Sequence, residues 1–376
     1  MRKIFYIIIC SVFLSNLVFS DNYTKAVGYF YDNGNLKKAD EYFRKAVSKK
    51  EYESFFDLAV QINNDVVQQK NFAQGEKQKE LLVLAERYYL IAISEKDYRA
   101  AAYLGSLYDQ QGKLDLAEKY YKMAVDNGDK SMIVNLGTIY EDQKKFELAE
   151  KYYKEASDNG DSLAMENLGK LYREQKKWDL SEKYLKMAVD SGSVAALNSL
   201  GILYEAQGKK DLAKKYYLMA YENGKNKIST IKSASKAVQN LAQLYHKSGD
   251  LISAEKYYKI AIDTDHNSNA MSDLGSLYLD QGKKDLAEKY FLMGVDAGNS
   301  YAMSNLGILY TRENKLDLAK QYCEKSLNAG NNNSLVCLGE IAEKQGDVKL
   351  AESYYRKALE NGIAEGGRLL KLLNKK

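Results

Sequence analysis

Apolar and small residues recur along this chain at a nearly fixed interval of 32 residues. A leucine followed by glycine or alanine appears eight times, at successive spacings of 32, 32, 32, 41, 33, 32 and 32 residues. We call each of these the reference leucine of its repeat: Leu104, Leu136, Leu168, Leu200, Leu241, Leu274, Leu306 and Leu338. A period of this length indicates an array of repeated supersecondary units.

Each repeat has the pattern of two amphipathic helices joined by a short turn. Tyrosine usually follows the reference leucine after four residues, alanine after thirteen, tyrosine or another apolar residue after seventeen, and alanine after twenty. Spacings of three, four and seven residues place side chains on one face of a helix. Gly112 and Gly128 stand where the first and second helices of one repeat should end, because glycine adopts the left-handed backbone found there. The chain has no proline, which also favours helix.

The small residues and the tyrosines predict how these helices pack. Gly105 and Ala117 should let the two helices of a pair approach closely. Tyr108 and Tyr121 are expected to fill space between successive units as core residues, although a ligand platform is the alternative. No single pair can bury its apolar stripes alone, so the units must stack.

The order of leucine, glycine, tyrosine, alanine, tyrosine and alanine resembles the tetratricopeptide repeat, over residues 22–362. The ending from Gly160 to Ala164 resembles the related Sel-one-like repeat, while the proline that commonly closes the tetratricopeptide unit is replaced by Gly-Asp, Gly-Ser or Gly-Asn. The resemblance implies an all-α protein, a right-handed α-solenoid of about ten helix-turn-helix repeats. The predicted segments are two divergent repeats in 22–97 with an insertion at 63–80, four regular repeats in 98–224, an insertion at 225–233, four repeats in 234–362, and a capping helix in 363–376.

The first twenty residues resemble a secretory signal peptide. Arg2 and Lys3 precede the apolar stretch 4–14, and Val18 to Ser20 form an acceptable cleavage site. We therefore predict export to the periplasm or the exterior of a bacterium, with cleavage after Ser20 and no membrane span afterwards. An uncleaved anchor and lipidation of Cys10 are the alternatives.

Cleavage would leave two cysteines, Cys323 and Cys337, on consecutive predicted helices. Two thiols do not form a disulfide framework, although one bridge fits this placement. The sequence favours two small unlinked core residues.

The resemblance also implies a concave groove, lined by first helices, that binds peptides. In that family the residue before the reference leucine often faces the groove, where an asparagine can hydrogen-bond a peptide backbone. Here the position holds Asn135, Asn167, Asn240 and Asn305. An amide donates and accepts at once, which suits a peptide backbone, but a bond to the neighbouring unit is the open alternative.

Acidic residues at the end of some first helices, including Asp109 and Glu141, are a further candidate contact for a basic or amino-terminal peptide. A solvated charged face is the alternative explanation. The places that would hold lysine or arginine in a carboxylate clamp carry Ala102, Val134 and similar residues, so no such clamp is predicted.

Little in the sequence indicates chemistry. The net charge of +4 gives no electrostatic case for nucleic acid binding. His246 and His266 are the only histidines, so no metal, cofactor or histidine-dependent catalytic site is predicted. Some Sel-one-like proteins carry a β-lactamase label, but the three Ser-x-x-Lys matches here equal the number expected by chance, and companion motifs are missing.

These observations predict a non-enzymatic scaffold of the bacterial envelope or exterior. It would bind a protein or peptide in its groove. The alternative is a self-associating structural component of the envelope, and a β-lactamase-like enzyme is a remote one.

Overall fold

A computed structural model describes residues 22–23, 25–26, 28–29, 35–49, 54–68 and 76–373, without the side chains of 65–68 and 76–78. The predicted signal peptide and part of the predicted insertion at 63–80 lie outside these residues. The described residues form helices and turns and include no strand, which confirms the predicted all-α repeat fold.

The chain divides into two compact units, one up to Ala164 and one from Met165. Even-numbered helices are the first helices of a repeat, and odd-numbered ones are second helices. The helices up to the division are α1 (Leu36–Ser48), α2 (Phe55–Gln68), α3 (Glu76–Ser94), α4 (Arg99–Gln110), α5 (Leu114–Asp126), α6 (Ile133–Asp142), α7 (Phe146–Asp158) and α8 (Ser162–Glu174), which contains the division. Those that follow are α9 (Trp178–Asp190), α10 (Val194–Ala206), α11 (Lys210–Gly224), α12 (Ile231–Lys247), α13 (Leu251–Asp265), α14 (Ser268–Asp280), α15 (Lys284–Asp296), α16 (Ser300–Arg312), α17 (Leu316–Asn328), α18 (Ser334–Lys344), α19 (Val348–Glu360) and α20 (Ala364–Leu373).

Close approach within each helix pair depends on the glycine after the reference leucine. A Cβ atom on Gly137 would lie 2.4 Å from Cδ1 of Tyr153, whose side chain is fully buried. Ala149 on the same second helix is also fully buried. The predicted crossing of the two helices at small residues is therefore confirmed.

The turn between the two helices requires a left-handed residue. α4 ends at Gln110, and Gly112 follows with a φ of +70°. In the next repeat the corresponding position holds Lys144, with a φ of +60°, although residues with a side chain disfavour this conformation. Most repeats use glycine at this position because only glycine adopts it without a steric cost.

The two recurring tyrosines have different roles in packing. The Tyr108 hydroxyl donates a 2.8 Å hydrogen bond to Glu86 on the preceding second helix, so it does pack between successive units. The Tyr121 ring instead lies over Gly105 of its own pair, at 2.7 Å from where a Cβ would be. Tyr121 therefore packs inside its own pair, where the glycine opens a space for a ring.

The irregular segments of the second unit adapt to the array locally. The residues of the predicted insertion at 225–233 form a loop up to Thr230 and the first turn of α12. At the other end, α20 buries Leu373 against Ala342 and Tyr355. Leu370 stands 32 residues after the reference leucine Leu338, but it is followed by Lys371 and not by glycine.

Cys323 and Cys337 are buried and joined by a disulfide bond, with their Cα atoms 6.3 Å apart. The expectation of two unlinked core thiols is therefore wrong. The reason lies in the register of the repeats. Cys323 occupies the position of the buried ring that packs under Gly307, and its short side chain leaves room for a sulfur from α18.

Candidate peptide-binding cleft

Side-chain hydrogen bonds join consecutive first helices of the second unit into a polar ladder. Each bond links the residue two places before one reference leucine to the residue one place before the next. The bonds are Ser199 Oγ to Glu166 Oε1 (3.2 Å), Asn240 Nδ2 to Asn198 Oδ1 (2.8 Å), Gln239 Nε2 to Asp273 Oδ2 (2.7 Å) and Asn305 Nδ2 to Ser272 Oγ (3.2 Å). We call this set the polar ladder.

Two of the four predicted groove asparagines take part in hydrogen bonds inside the protein. The side-chain amides of Asn240 and Asn305 each donate to the preceding first helix. Asn135 and Asn167 are partly buried. The contacts of Asn240 and Asn305 are the kind expected if these asparagines bond to neighbouring units.

The predicted acidic residues are acceptors for buried tyrosines. The Tyr153 hydroxyl donates to Glu141 Oε2 at 2.6 Å, and the Tyr121 hydroxyl donates to Asp109 Oδ2 at 3.4 Å. Burial, followed by the neighbouring charge of Asp142, raises the pKa of Asp109, while the bond from Tyr121 acts in the opposite direction. Burial is also the main reason why the pKa of Tyr153 is raised.

This pairing of an acid with a buried tyrosine has a signal in the sequence. An acid five residues after the reference leucine occurs only where tyrosine stands at seventeen, as in Glu205 with Tyr217 and Glu343 with Tyr355. Where the residue seventeen places after the reference leucine is not tyrosine, the residue five places after it is not acidic. These pairs are Arg173 with Leu185, Leu279 with Phe291, and Thr311 with Cys323. Tyr258 with His246 is the exception, and their rings meet edge to face.

The polar ladder ends between α16 and α18. The next member would be Cys337, but its sulfur is bonded to Cys323, and Val336 beside it is apolar. A cleft of about 790 Å³ opens at this point. We call it the C-terminal cleft. It is lined by Tyr301, Ser304, Asn305, Ile308, Thr311, Arg312, Asn331, Asn333, Val336, Cys337, Glu340, Glu343, Lys344, Ile363 and Glu365, from α16, α18 and the start of α20.

The cleft combines an apolar wall with charged groups. Ile308, Val336 and Ile363 are partly exposed there, and Tyr301 is 58% exposed. Burial raises the pKa of the half-buried Glu340 carboxyl, and the charge of Arg312 opposes that shift. A pocket of this volume, with apolar walls and a few polar groups, is typical of ligand sites.

The six predicted site residues are divided between the two compact units: Asp109, Asn135 and Glu141 belong to the first, and Asn167, Asn240 and Asn305 to the second. Of these six, Asn305 is the one that lines the C-terminal cleft. Sequence reasoning missed Ile308, Val336 and Glu340. The available signal was the change from Ser304 and Asn305 in one repeat to Val336 and Cys337 in the next.

Within the described part of the chain, no group of three histidine, cysteine, aspartate or glutamate side chains is arranged to hold a metal ion. None of the described helices is long and apolar enough to cross a bilayer. His246 lies 3.1 Å from Asp280, through Nε2 and Oδ2.

The fold and this cleft define a helix-turn-helix repeat protein. Sequence models of the tetratricopeptide repeat match residues 84–131, 134–193, 167–228, 239–302, 300–332 and 334–361. These ranges cover more than half of the chain, which belongs to the tetratricopeptide repeat family. Proteins of this family typically mediate protein–protein interactions and are generally not enzymes.

No curated protein matches the sequence. Solved structures that are similar include a protective antigen of uropathogenic Escherichia coli with an SLR fold, at 18% identity and a TM-score of 0.41, covering 94% of this chain and 87% of the antigen. A tetratricopeptide repeat protein from Parabacteroides merdae has 19% identity and a TM-score of 0.45, covering 74% and 99%. PilF of Pseudomonas aeruginosa has 20% identity and a TM-score of 0.44, covering 55% and 96%.

Proposed function

We propose that this protein is a non-enzymatic scaffold that binds an extended peptide or protein segment in the C-terminal cleft. The observation that carries the proposal is the end of the polar ladder at Cys337, where a cleft of about 790 Å³ opens between three first helices. Along the ladder, polar side chains are bonded to one another. In the cleft, Ile308, Val336 and Glu340 remain available to a ligand.

This proposal separates the predicted groove residues by role. Asn305 stays a candidate ligand contact because it lines the cleft. For Asn240 the proposed role is to hold α12 against α10. For Asp109 and Glu141 the proposed role is to accept hydrogen bonds from buried tyrosines.

We also propose that the protein acts outside the bacterial cytoplasm, with residues 1–20 as a signal peptide. The buried bridge between Cys323 and Cys337 supports this, because disulfides persist in oxidising compartments and are rare in the cytosol. Mass spectrometry of protein isolated from the envelope or medium should find Asp21 as the first residue. Cytosolic protein that retains Met1 would contradict the proposal.

The binding function can be tested by capture with matched variants. Ile308→Asp places a charge on the apolar wall of the cleft. Ile202→Asp makes the same change at the same repeat position of α10, outside the cleft, where the side chain is also partly buried. A ligand in the cleft should be retained by the native chain and by Ile202→Asp and lost from Ile308→Asp, with unchanged circular dichroism for all three.

Retention of the same protein by Ile308→Asp would overturn the assignment to the cleft. Light scattering of the purified chain tests the alternative function. Concentration-dependent growth into large assemblies, with no other protein retained, would favour a structural component.

A further inference from the structure

We propose that the C-terminal cleft selects a segment in which a lysine or arginine stands beside an aliphatic residue, with the cation bound at Glu340 and the aliphatic side chain on the wall of Ile308, Val336 and Ile363. This inference rests on the proposed function and specifies its ligand.

The charges in the cleft favour a cationic ligand. Three carboxylates line it, and two of them have partners within the chain. Glu343 accepts a 3.1 Å hydrogen bond from the Tyr355 hydroxyl, and Glu365 bonds Arg368 one turn further along α20. Among the described residues, the Glu340 carboxylate has no hydrogen-bond or ion-pair partner.

The Glu340 carboxyl is half-buried in the cleft. Its pKa is raised mainly by burial, so removal from water is not fully compensated by the surrounding protein. Arg312 and Lys344 act in the opposite direction, but both side chains are exposed and neither forms an ion pair with Glu340. A cation brought by a ligand would supply the missing partner.

The apolar wall of the cleft is built from three parts of the chain. Ile308 comes from α16, Val336 from α18 and Ile363 from the residue before α20. The three side chains are partly exposed on the same cleft as Glu340. An aliphatic side chain next to the ligand's cation would cover this surface, which favours binding in proportion to the apolar area removed from water.

Glu340 also has a unique place in the array. It stands two residues after its reference leucine, where the other seven repeats carry Ser106, Thr138, Lys170, Ile202, Gln243, Ser276 and Ile308. No other repeat therefore offers a carboxylate at this position, and the selection we propose is confined to this cleft.

The test uses three labelled peptides with blocked ends, Gly-Val-Lys-Val-Gly and the same sequence with glutamine or glutamate in place of lysine. Binding to the full native chain is measured by fluorescence anisotropy at physiological ionic strength. We expect the lysine peptide to bind about tenfold more tightly than the glutamate peptide, because the same carboxylate attracts one and repels the other.

Variants assign this preference to one residue. Glu340→Gln should abolish it, and Glu340→Lys should reverse it in favour of the glutamate peptide. Asp280→Asn removes an exposed carboxylate from α14, outside the cleft, and should leave the preference unchanged. The reversal cannot arise from loss of folding, because it requires binding.

Equal binding of the three peptides, or a preference that persists in Glu340→Gln, would overturn the inference about ligand class. Failure of all three peptides to bind would overturn it as well. None of these results decides the proposed function, which depends separately on whether Ile308→Asp loses a ligand that Ile202→Asp keeps.

Discussion

The bond between Tyr217 and Glu205 gives a quantitative test of how each helix pair is held together. Tyr217 is fully buried, and its hydroxyl donates to Glu205 Oε2 at 2.9 Å. A hydrogen bond to a charged group contributes about 1.5–3 kcal/mol. The Glu205 side chain is 26% exposed and also binds Lys247, so it keeps other partners when the hydroxyl is removed. Tyr217→Phe should therefore cost about 1.5 kcal/mol, the lower end of that range.

The reverse change removes the acceptor. Glu205→Leu leaves a buried hydroxyl without a partner, at a cost of about 1–3 kcal/mol, and loses an exposed ion pair worth about 0.5 kcal/mol. The double variant reproduces the pair that another repeat already uses, Leu279 with Phe291. It should be less destabilised than the sum of the two single variants by about 1.5 kcal/mol.

Urea unfolding followed by the fluorescence of Trp178 measures these costs locally. Trp178 is the single tryptophan, and it packs against the core cluster that contains Tyr217. Glu205→Gln keeps an oxygen acceptor and serves as the control, with a smaller loss than Glu205→Leu. Additive costs in the double variant, with a coupling below about 0.5 kcal/mol, would refute the reasoning.

Four further predictions concern stability. Burial raises the pKa of Tyr153 and of other tyrosines above the unfolded value of about 10. The free energy of unfolding should therefore be at its full value below about pH 10 and fall as the pH rises further. Ultraviolet titration of tyrosine should then coincide with the loss of circular dichroism. Replacing Cys323 and Cys337 by serine should cost about 3 kcal/mol in urea unfolding, because the bridge closes a loop with a sequence separation of 14; an unchanged midpoint would contradict this. Leu136→Ala should lower the free energy of unfolding by about 2–5 kcal/mol, because Leu136 is 1% exposed. Lys144→Gly should raise it by about 1 kcal/mol, because glycine adopts the left-handed backbone at this position without strain. Both changes are measured from urea midpoints.

Much of the fold could be predicted because the repeat converts one-dimensional spacing into packing. Leu136, Gly137 and Tyr153 recur at fixed offsets, and each offset corresponds to one place in the helix pair. The left-handed turn at Gly112 followed from the same logic, since glycine has a known preference for that backbone.

The site was harder to predict because side-chain partners depend on the lateral distance between helices. From the sequence, Asn240 could bond either to a peptide in the groove or to the neighbouring unit. Only the structure shows that its Nδ2 atom lies 2.8 Å from Oδ1 of Asn198. The disulfide was missed for the same reason. Cys323 and Cys337 belong to different repeat positions, and no spacing rule shows that the two positions meet.

The pairing of Tyr217 with Glu205, and of Phe291 with Leu279, limits how such arrays can evolve by recombination. An exchange that joined the first helix of one repeat to the second helix of another would combine Glu205 with Phe291, or Leu279 with Tyr217. The first product would lose the hydrogen bond between the two helices, and the second would bury a hydroxyl without an acceptor. The unit that can be duplicated or swapped without breaking this pairing is therefore the intact hairpin, so for this contact crossovers should be tolerated between hairpins and selected against within them.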